Sequence, residues 1–159
     1  MDSIHFLAGG PELLDSIEPL WRGLCEHHAG VSPDFAVWFR NRGFAERKAD
    51  ILAQASAGMR VRLAVAGSET VGYCVSTLSA NGTGEVDSIF VREDHRGMEI
   101  GEQLMRDALD WLEARGAASI QVAVVHGNDR ALEWYRRFGF APRIVKMARL
   151  KEYEPPAAS

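Results

Sequence analysis

The stretch Val86-Asp87-Ser88-Ile89-Phe90-Val91, followed after four intervening residues by Arg96-Gly97-Met98-Glu99-Ile100-Gly101, decides the fold of this chain. Its first part predicts a β-strand. Its second part predicts a glycine-containing turn that leads into a helix with apolar residues at helical spacing. The first turn of a helix has N–H groups without partners and a partial positive charge, so it binds phosphate oxygens well. The segment therefore predicts a site for a phosphorylated cofactor.

The rest of the sequence predicts a single domain over residues 1–152 and a loose tail over 153–159. Apolar spacing and turn residues predict strands at 3–8, 61–66, 71–78, 85–91, 119–125 and 141–150, and helices at 12–28, at 32–57 with a break near Gly43, after Gly97 and at 128–138. Short turns make the three central strands antiparallel, and the helix after Gly97 is a right-handed crossover between parallel strands. The apolar run from Ser119 to Val125 predicts a strand buried on both faces. We therefore expect an α/β (α+β) fold, with a mixed, mostly antiparallel twisted sheet of six to seven strands and helices on both faces.

Composition argues against several classes of function. The chain has 159 residues and a net charge of -4, which gives no support for nucleic-acid binding. No apolar run approaches the ~20 residues that span a bilayer, and the N-terminus lacks the pattern of a signal peptide. The two cysteines, Cys25 and Cys74, are too few for a disulfide framework. We expect a cytoplasmic protein that binds neither nucleic acid nor membrane.

Two motifs carry a resemblance to a known family. The first is Arg96 to Gly101, which follows the pattern Arg/Gln-x-x-Gly-x-Gly/Ala except that Glu99 stands where the first glycine is usual. The second is Asn128-Asp129-Arg130-Ala131-Leu132-Glu133-Trp134-Tyr135-Arg136-Arg137-Phe138-Gly139-Phe140. Together with the order of elements, these residues resemble the GNAT superfamily of acyl-CoA-dependent N-acyltransferases over nearly the whole chain. The resemblance implies the GNAT-like fold, acetyl-CoA as acyl donor and no metal.

The resemblance also implies the residues that contact the cofactor. The main chain of one strand segment pairs with the pantetheine arm like an added strand, and the amides of the turn surround the pyrophosphate. The implied contacts are Ile89, Phe90, Val91, Arg96, Gly97, Met98, Glu99, Ile100, Gly101, Asn128, Arg130 and Tyr135. Glu99 leaves two interpretations: a side chain turned to solvent beside an intact phosphate site, or a degenerate site that binds the cofactor weakly. Arg92, Arg130, Arg136 and Arg137 are candidates for the outer phosphate of coenzyme A.

Acyl transfer from a thioester to an amine needs a base for the amine and an acid for the thiolate. Tyr135 lies two helical turns after Asn128, and the resemblance implies that it is the acid. The alternative is a core aromatic residue. Glu85 and Asp87 are two apart on one strand, so we expect them to share a face with Ile89 and Val91. Either is a candidate base, and a water chain is the alternative.

The helical region contains further candidates with two interpretations each. Trp21, Phe35, Trp38 and Phe39 either shape the acceptor site, as the resemblance implies, or pack the helices together. His27 or His28 either lines an acceptor pocket or is an exposed side chain. Cys25 and His28 are one turn apart, but two ligands make a poor zinc site. Cys74 lies in an apolar strand and is expected in the core.

The resulting function is an N-acetyltransferase that moves an acetyl group from acetyl-CoA to a primary amine by direct attack in a ternary complex. The acceptor is a small-molecule or protein amine, and the negative net charge favours a cationic one. The alternative is a non-catalytic acyl-CoA-sensing or protein-binding module on the same fold. A Rossmann unit is excluded because the glycine turn follows antiparallel strands and the full fingerprint is missing. The resemblance also admits a homodimer formed through the last strands.

Overall fold

The central sheet has five strands within residues 3–152, which are the residues that the computed structural model describes. The strands are β1 (Ile4–Gly9), β2 (Gly58–Ala66), β3 (Glu69–Leu78), β4 (Thr83–Val91) and β5 (Ser119–Val122). They lie side by side in chain order, with β1 to β4 antiparallel and β4 parallel to β5. The expected mixed, mostly antiparallel sheet is confirmed.

Helices cover both faces of this sheet, as expected. Within residues 3–152 they are α1 (Glu18–Val31), α2 (Ala36–Arg40), α3 (Phe44–Gln54), α4 (Ile100–Ala114) and α5 (Asp129–Arg136). On one face, Trp21 of α1 and Ile51 of α3 pack with Tyr73 of β3 in a buried apolar cluster. On the other face, Leu104 of α4 is fully buried in a second cluster, with Trp134 of α5 packed against it. The helix α4 makes the crossover from β4 to β5, which brings its N-terminus to the end of β4.

The first helix begins later than its apolar spacing predicts. Residues Pro11–Ile17 form a 3-10 helix, and the α-helix starts only at Glu18. Pro19 lies in the first turn of α1, where its missing N–H costs no hydrogen bond. A proline inside a continuous helix over 12–28 would break that helix, so the α-helical part begins beside it.

The expected strand at residues 141–150 is wrong, and the sheet therefore has five strands rather than six to seven. This segment has no regular secondary structure, and its apolar side chains Ile144, Val145 and Met147 are 83%, 75% and 89% exposed. It contacts β5 through a side-chain hydrogen bond in which Arg143 Nη2 donates to Gln121 Oε1, at 3.1 Å. Alternation of apolar residues predicts a strand only where a neighbouring strand supplies backbone partners, because β-propensity depends on context.

The lack of a strand at 141–150 also affects the length and burial of β5. The sequence predicts β5 as a strand buried on both faces over 119–125. The strand ends at Val122, and its residues are exposed or half-buried because no further strand covers its outer edge within residues 3–152. The expected tail at 153–159 lies outside the described residues, and a homodimer through the last strands stays a prediction. Among residues 3–152, no helix is both long and apolar enough to cross a membrane.

Candidate active site

A β-bulge in β4 sets the orientation of the candidate base residues. Asp87 is the extra residue where β4 pairs with β3, so side chains before and after it alternate in opposite phase. Val86, Ile89 and Val91 consequently all pack on the cluster beneath α4. The expectation that Glu85 and Asp87 share a face with Ile89 and Val91 is therefore wrong, because the bulge shifts the alternation by one residue.

Glu85 and Asp87 face α3 and form one hydrogen-bonded group with it. The Thr77 hydroxyl donates to Asp87 Oδ2 at 2.7 Å, and Arg47 Nη2 donates to the Asp87 carbonyl oxygen at 2.6 Å. With its amide nitrogen turned toward the acids, Gln54 donates to Asp87 Oδ1 at 2.5 Å and to Glu85 Oε2 at 2.6 Å. The two carboxylates are thus held at one point beside the bulge.

This environment raises the pKa of Asp87, so that both its protonated and its ionised form are present near neutral pH. Burial, and after it the nearby Glu85 carboxylate, raise the pKa of Asp87 to about 7, against the opposing effects of the Thr77 hydrogen bond and the Arg47 charge. A carboxyl group whose pKa lies near the working pH is suited to take a proton from an incoming group and release it again.

Sequence reasoning missed the three residues that hold this acidic pair. Arg47 and Gln54 are seven residues apart on α3, so they lie on one face of that helix, two turns apart. That spacing indicates that the two side chains act on the same side of α3. It does not indicate their partner, because Asp87 is distant in sequence and lies on another element. Thr77 lies on β3 beside the bulge, and its role depends on a register shift that apolar patterning does not reveal.

The start of α4 presents a set of free backbone amides at the end of β4. The amide of Gln103 donates to the Glu99 carbonyl at 3.1 Å, which is the first hydrogen bond of the helix. The amides from Gly97 to Glu102 precede that bond and are available to an anion. Glu99 itself is exposed and has a φ of 60°, and it is the one residue other than glycine with positive φ within residues 3–152.

The left-handed backbone explains why a glycine is favoured at position 99. An L-residue in this conformation costs roughly 1–2 kcal/mol, whereas glycine adopts it freely. We expect Glu99→Gly to stabilise the fold by about 1 kcal/mol and to raise Tm by roughly 2–4 °C. We also expect it to tighten coenzyme A binding, because it removes a negative charge from an anion site. Thermal denaturation and isothermal titration with coenzyme A measure the two effects.

Glu99→Gln is the matched control, since it removes the charge and keeps the strained backbone. It should tighten coenzyme A binding without raising Tm. An unchanged Tm in Glu99→Gly would show that the backbone at this position is not strained.

A groove of about 600 Å³ runs between α1 and the end of β4. Gly23 and His27 line it from α1, Phe90 from β4, and Arg96 from the turn before α4. The Arg96 guanidinium lies over the Phe90 ring, 5.4 Å from its centroid, and its Nε donates to the Val91 carbonyl at 3.1 Å. These contacts fix Arg96 at the mouth of the anion site described above.

Arg96 and Arg130 come close to His27 from two different elements. Burial and the positive charges of Arg96 and Arg130 lower the pKa of His27, so all three groups lie near one another. Arg130 has no ion-pair partner within residues 3–152. The other arginine candidates for the outer phosphate are paired, Arg92 with Glu69 and Asp94, Arg136 with Glu133, and Arg137 with Glu102. Arg130 is therefore the free cation of that set.

The strands β4 and β5 separate beyond their first residues. Their parallel pairing joins residues 83–86 to 119–122, so the edge of β4 from Asp87 to Val91 has no strand beside it in the described part of the chain. Phe90 is the register partner of Tyr73 on β3. Since backbone groups alternate in direction along a strand, Ile89 and Val91 turn theirs toward the open edge.

The loop after β5 packs against the end of α1. Gly127 has a φ of +97°, and a Cβ there would lie 2.5 Å from the Val31 carbonyl oxygen at the end of α1. Asn128 follows it and accepts a hydrogen bond from the Ala131 amide at 3.3 Å, which confirms the expected N-cap of α5. The cap fixes the position of Asn128 at the start of α5. A cofactor contact at Asn128 would require such a fixed position.

Tyr135 lies on the α4 side of β4, opposite the acidic pair. Its ring packs against the same cluster as Ile89 and stands 6.0 Å from that of Phe140, in an edge arrangement. Burial and the nearby Cys74 thiol raise the pKa of Tyr135, so its hydroxyl stays protonated. Within residues 3–152 that hydroxyl has no hydrogen-bond partner. The residue is thus both part of the apolar packing and an uncommitted proton donor.

The candidates of the helical region divide between core and surface. Trp21 is buried against Phe44, and Cys25 and Cys74 are buried too. His28 packs on Phe39, with ring centroids 5.3 Å apart. The prominent exposed aromatic residue of the group is Trp38, at 55% exposure. The interpretation as packing residues is therefore confirmed for Trp21 and Phe39.

The sequence profile of the acetyltransferase (GNAT) family matches residues 21–140, three quarters of the chain, including β4, the start of α4 and α5. The chain belongs to this family. Among GNAT relatives, the streptothricin acetyltransferase of Streptomyces lavendulae is 43% identical over 56 residues, covering 35% of this chain and 30% of that protein. An uncharacterized N-acetyltransferase of Methanocaldococcus jannaschii is 32% identical over 71 residues, covering 45% and 31%. The chain thus spans about a third of the length of these curated relatives.

Solved GNAT structures share the fold at low sequence identity. The PaiA N-acetyltransferase of Thermoplasma acidophilum, in complex with coenzyme A, has a TM-score of 0.70 at 17% identity, covering 91% of this chain and 93% of that one. An aminoglycoside acetyltransferase from an uncultured soil metagenomic sample has a TM-score of 0.63 at 17% identity, covering 92% and 95%. At this identity the similarity establishes the GNAT fold and leaves the substrate open.

Proposed function

We propose that this GNAT protein is an enzyme that transfers an acetyl group from acetyl-CoA to a primary amine, by direct attack in a ternary complex. The observation that carries the proposal is the arrangement around the open edge of β4. A carboxyl group with a pKa near 7 lies on one face at Asp87, and a protonated phenol lies on the other at Tyr135. The free amides that begin α4 stand at the end of the same strand.

The residues present fit coenzyme A. Its diphosphate matches the amides that precede the first hydrogen bond of α4, with Arg96 and Arg130 as nearby cations and the His27 imidazole beside them. Its extended pantetheine arm matches the strand-like edge at Ile89 and Val91. Gly97 supports close approach, because nothing lies within 4 Å of the position of a Cβ there. Glu99 is exposed, which agrees with an intact phosphate site.

In this mechanism, two side chains move the protons. When bound, acetyl-CoA supplies a thioester carbonyl that a neutral amine can attack. Asp87 lies beside Glu85, and its Oδ1 or Oδ2 accepts a proton from the ammonium group of the acceptor, either directly or through one water. Tyr135 donates its hydroxyl proton to the departing sulfur. Gln54 and Thr77 keep the carboxylates of Asp87 and Glu85 oriented toward each other.

Isothermal titration with acetyl-CoA, followed by thiol release with a panel of amines, tests the proposal. We expect micromolar binding and amine-dependent release of thiol. Binding without turnover would favour the alternative, a non-catalytic acyl-CoA-sensing module. Absence of binding would contradict both.

A pair of arginine variants makes the binding test specific. Arg130→Gln should weaken coenzyme A binding roughly tenfold, the scale of one charge-assisted hydrogen bond. Arg136→Gln is the matched control on the same helix, because Arg136 is already paired with Glu133 at 3.4 Å. Equal affinities in the two variants would remove Arg130 from the cofactor site.

A further inference from the structure

Two half-buried arginines, Arg42 and Arg47, lie near each other, and Arg47 contacts the acidic pair. Arg47 uses one nitrogen for the Asp87 carbonyl. Arg42 directs its guanidinium over the exposed Trp38 ring, 4.8 Å from the centroid, and its main-chain carbonyl accepts from Arg22. Neither Arg42 nor Arg47 has a carboxylate within ion-pair distance in the described part of the chain.

The surroundings of Arg42 do not neutralise it. Burial and the like charge of Arg47 lower the pKa of Arg42, while Asp50 and Glu46 act on it only from beyond 4 Å. His28 adds no further positive charge, because burial and the neighbouring cations lower its pKa to about 4 and keep it neutral. Arginines are ordinarily solvated or paired when partly buried, since an uncompensated buried charge is costly. Arg42 is half-buried and has no carboxylate within 4 Å in the described part of the chain, so its guanidinium is open to an anion from outside the chain.

We infer that the acceptor carries a carboxylate beside its amine, and that Arg42 binds this carboxylate while the amine faces Asp87. The inference rests on the proposed function and names the class of its acceptor: an amino acid or a compound with the same two groups. Arg47 links the two positions, since it lies next to Arg42 and hydrogen-bonds the bulge that carries Asp87.

The planar guanidinium suits this role. It presents paired donors that match the two oxygens of a carboxylate, and it stacks on aromatic faces as Arg42 does on Trp38. An acceptor with amines alone would bring positive charge toward Arg42 and Arg47, which is unfavourable. The charges of Arg42 and Arg47 thus favour an acceptor with an anionic group, whereas the net charge of the chain alone favours a cationic acceptor.

The experiment compares acceptors that differ only in the charge of one group. Phenylalanine with phenylalaninamide, and lysine with lysinamide, are tested for thiol release from acetyl-CoA with the wild-type protein and with Arg42→Gln. We expect the acid to exceed the amide at least tenfold in kcat/KM for the wild type, and the ratio to fall within about threefold for Arg42→Gln. Arg40→Gln is the matched control, since Arg40 lies on α2 and is already paired with Glu26 at 3.2 Å; it should keep the wild-type ratio.

A binding measurement separates this inference from the proposed function. N-acetylphenylalanine and its amide are titrated into the same three proteins, whose folding is checked by circular dichroism. If the wild type binds the acid more tightly than the amide and Arg42→Gln loses this preference, the carboxylate site is supported. That holds even if no acceptor is acetylated, because absence of turnover overturns only the proposed acetyl transfer. Equal binding of acid and amide by the wild type, or a preference for the acid that survives in Arg42→Gln, would overturn the inference. If the amides are nevertheless acetylated, the proposed function still holds.

Discussion

Replacing Asp87 by asparagine is expected to lower kcat by about 10²- to 10³-fold, the usual scale for loss of a general base. The substitution keeps the shape of the side chain and one acceptor for the Thr77 hydroxyl. The wild-type protein should show kcat/KM rising with pH through about 7, because burial raises the pKa of Asp87 to that value and only the ionised form accepts a proton. Initial rates of thiol release between pH 5.5 and 9 measure both effects.

Stability distinguishes a lost base from a damaged fold. Because the pKa of Asp87 is raised in the folded state, the folded protein holds more protons than the unfolded chain between roughly pH 4 and 7, and its stability falls as pH rises through that window. Asp87→Asn removes this cost, so its Tm at pH 8 should equal or exceed that of the wild type.

Glu85→Gln is the matched control for the acidic pair. The Glu85 charge contributes to the raised pKa of Asp87, so its removal should move the rise in kcat/KM to lower pH and leave the plateau rate largely intact. The opposite pattern, with Glu85→Gln inactive and Asp87→Asn active, would exchange the two roles.

Apolar patterning predicted the elements near the site better than the site itself. The glycine turn before α4 and the Asn128 cap of α5 follow from local rules, since each residue acts on its own neighbours. The orientation of Asp87 does not, because a bulge adds one residue to β4 and reverses the alternation without a marker in the sequence. Arg47 and Gln54 reach that bulge from α3, and such long-range contacts have no local signature.

The C-terminal segment illustrates a different limit. Residues 141–150 contain apolar residues at spacings that suit a strand, yet they lie without a backbone partner and expose Ile144, Val145 and Met147. Strand formation depends on a neighbour that supplies hydrogen bonds, and a sequence pattern records the propensity alone. The error is therefore in pairing, while β2, β3 and β4, whose partners are hairpin neighbours, were predicted within about three residues.

Tyr135→Phe is expected to lower kcat by about 10²-fold, because the leaving sulfur loses its proton donor. Coenzyme A affinity and Tm should change little. The ring keeps its packing against Phe140 and the cluster beneath α4, and within residues 3–152 the hydroxyl that is removed makes no hydrogen bond. The raised pKa of Tyr135 also predicts that the wild-type rate stays level on the alkaline side, since the phenol remains protonated.

Tyr73→Phe is the matched control, since it removes the other buried tyrosine hydroxyl near β4. Tyr73 is fully buried on the opposite face and shares a 2.7 Å hydrogen bond with Ser88, so its loss should cost roughly 1 kcal/mol of stability and affect kcat far less. The two variants thus separate the hydroxyl that stabilises the fold from the one that serves the reaction. A Tyr135→Phe protein with full activity would remove that residue from proton transfer and assign the thiolate to water, since its hydroxyl has no other task among the described residues.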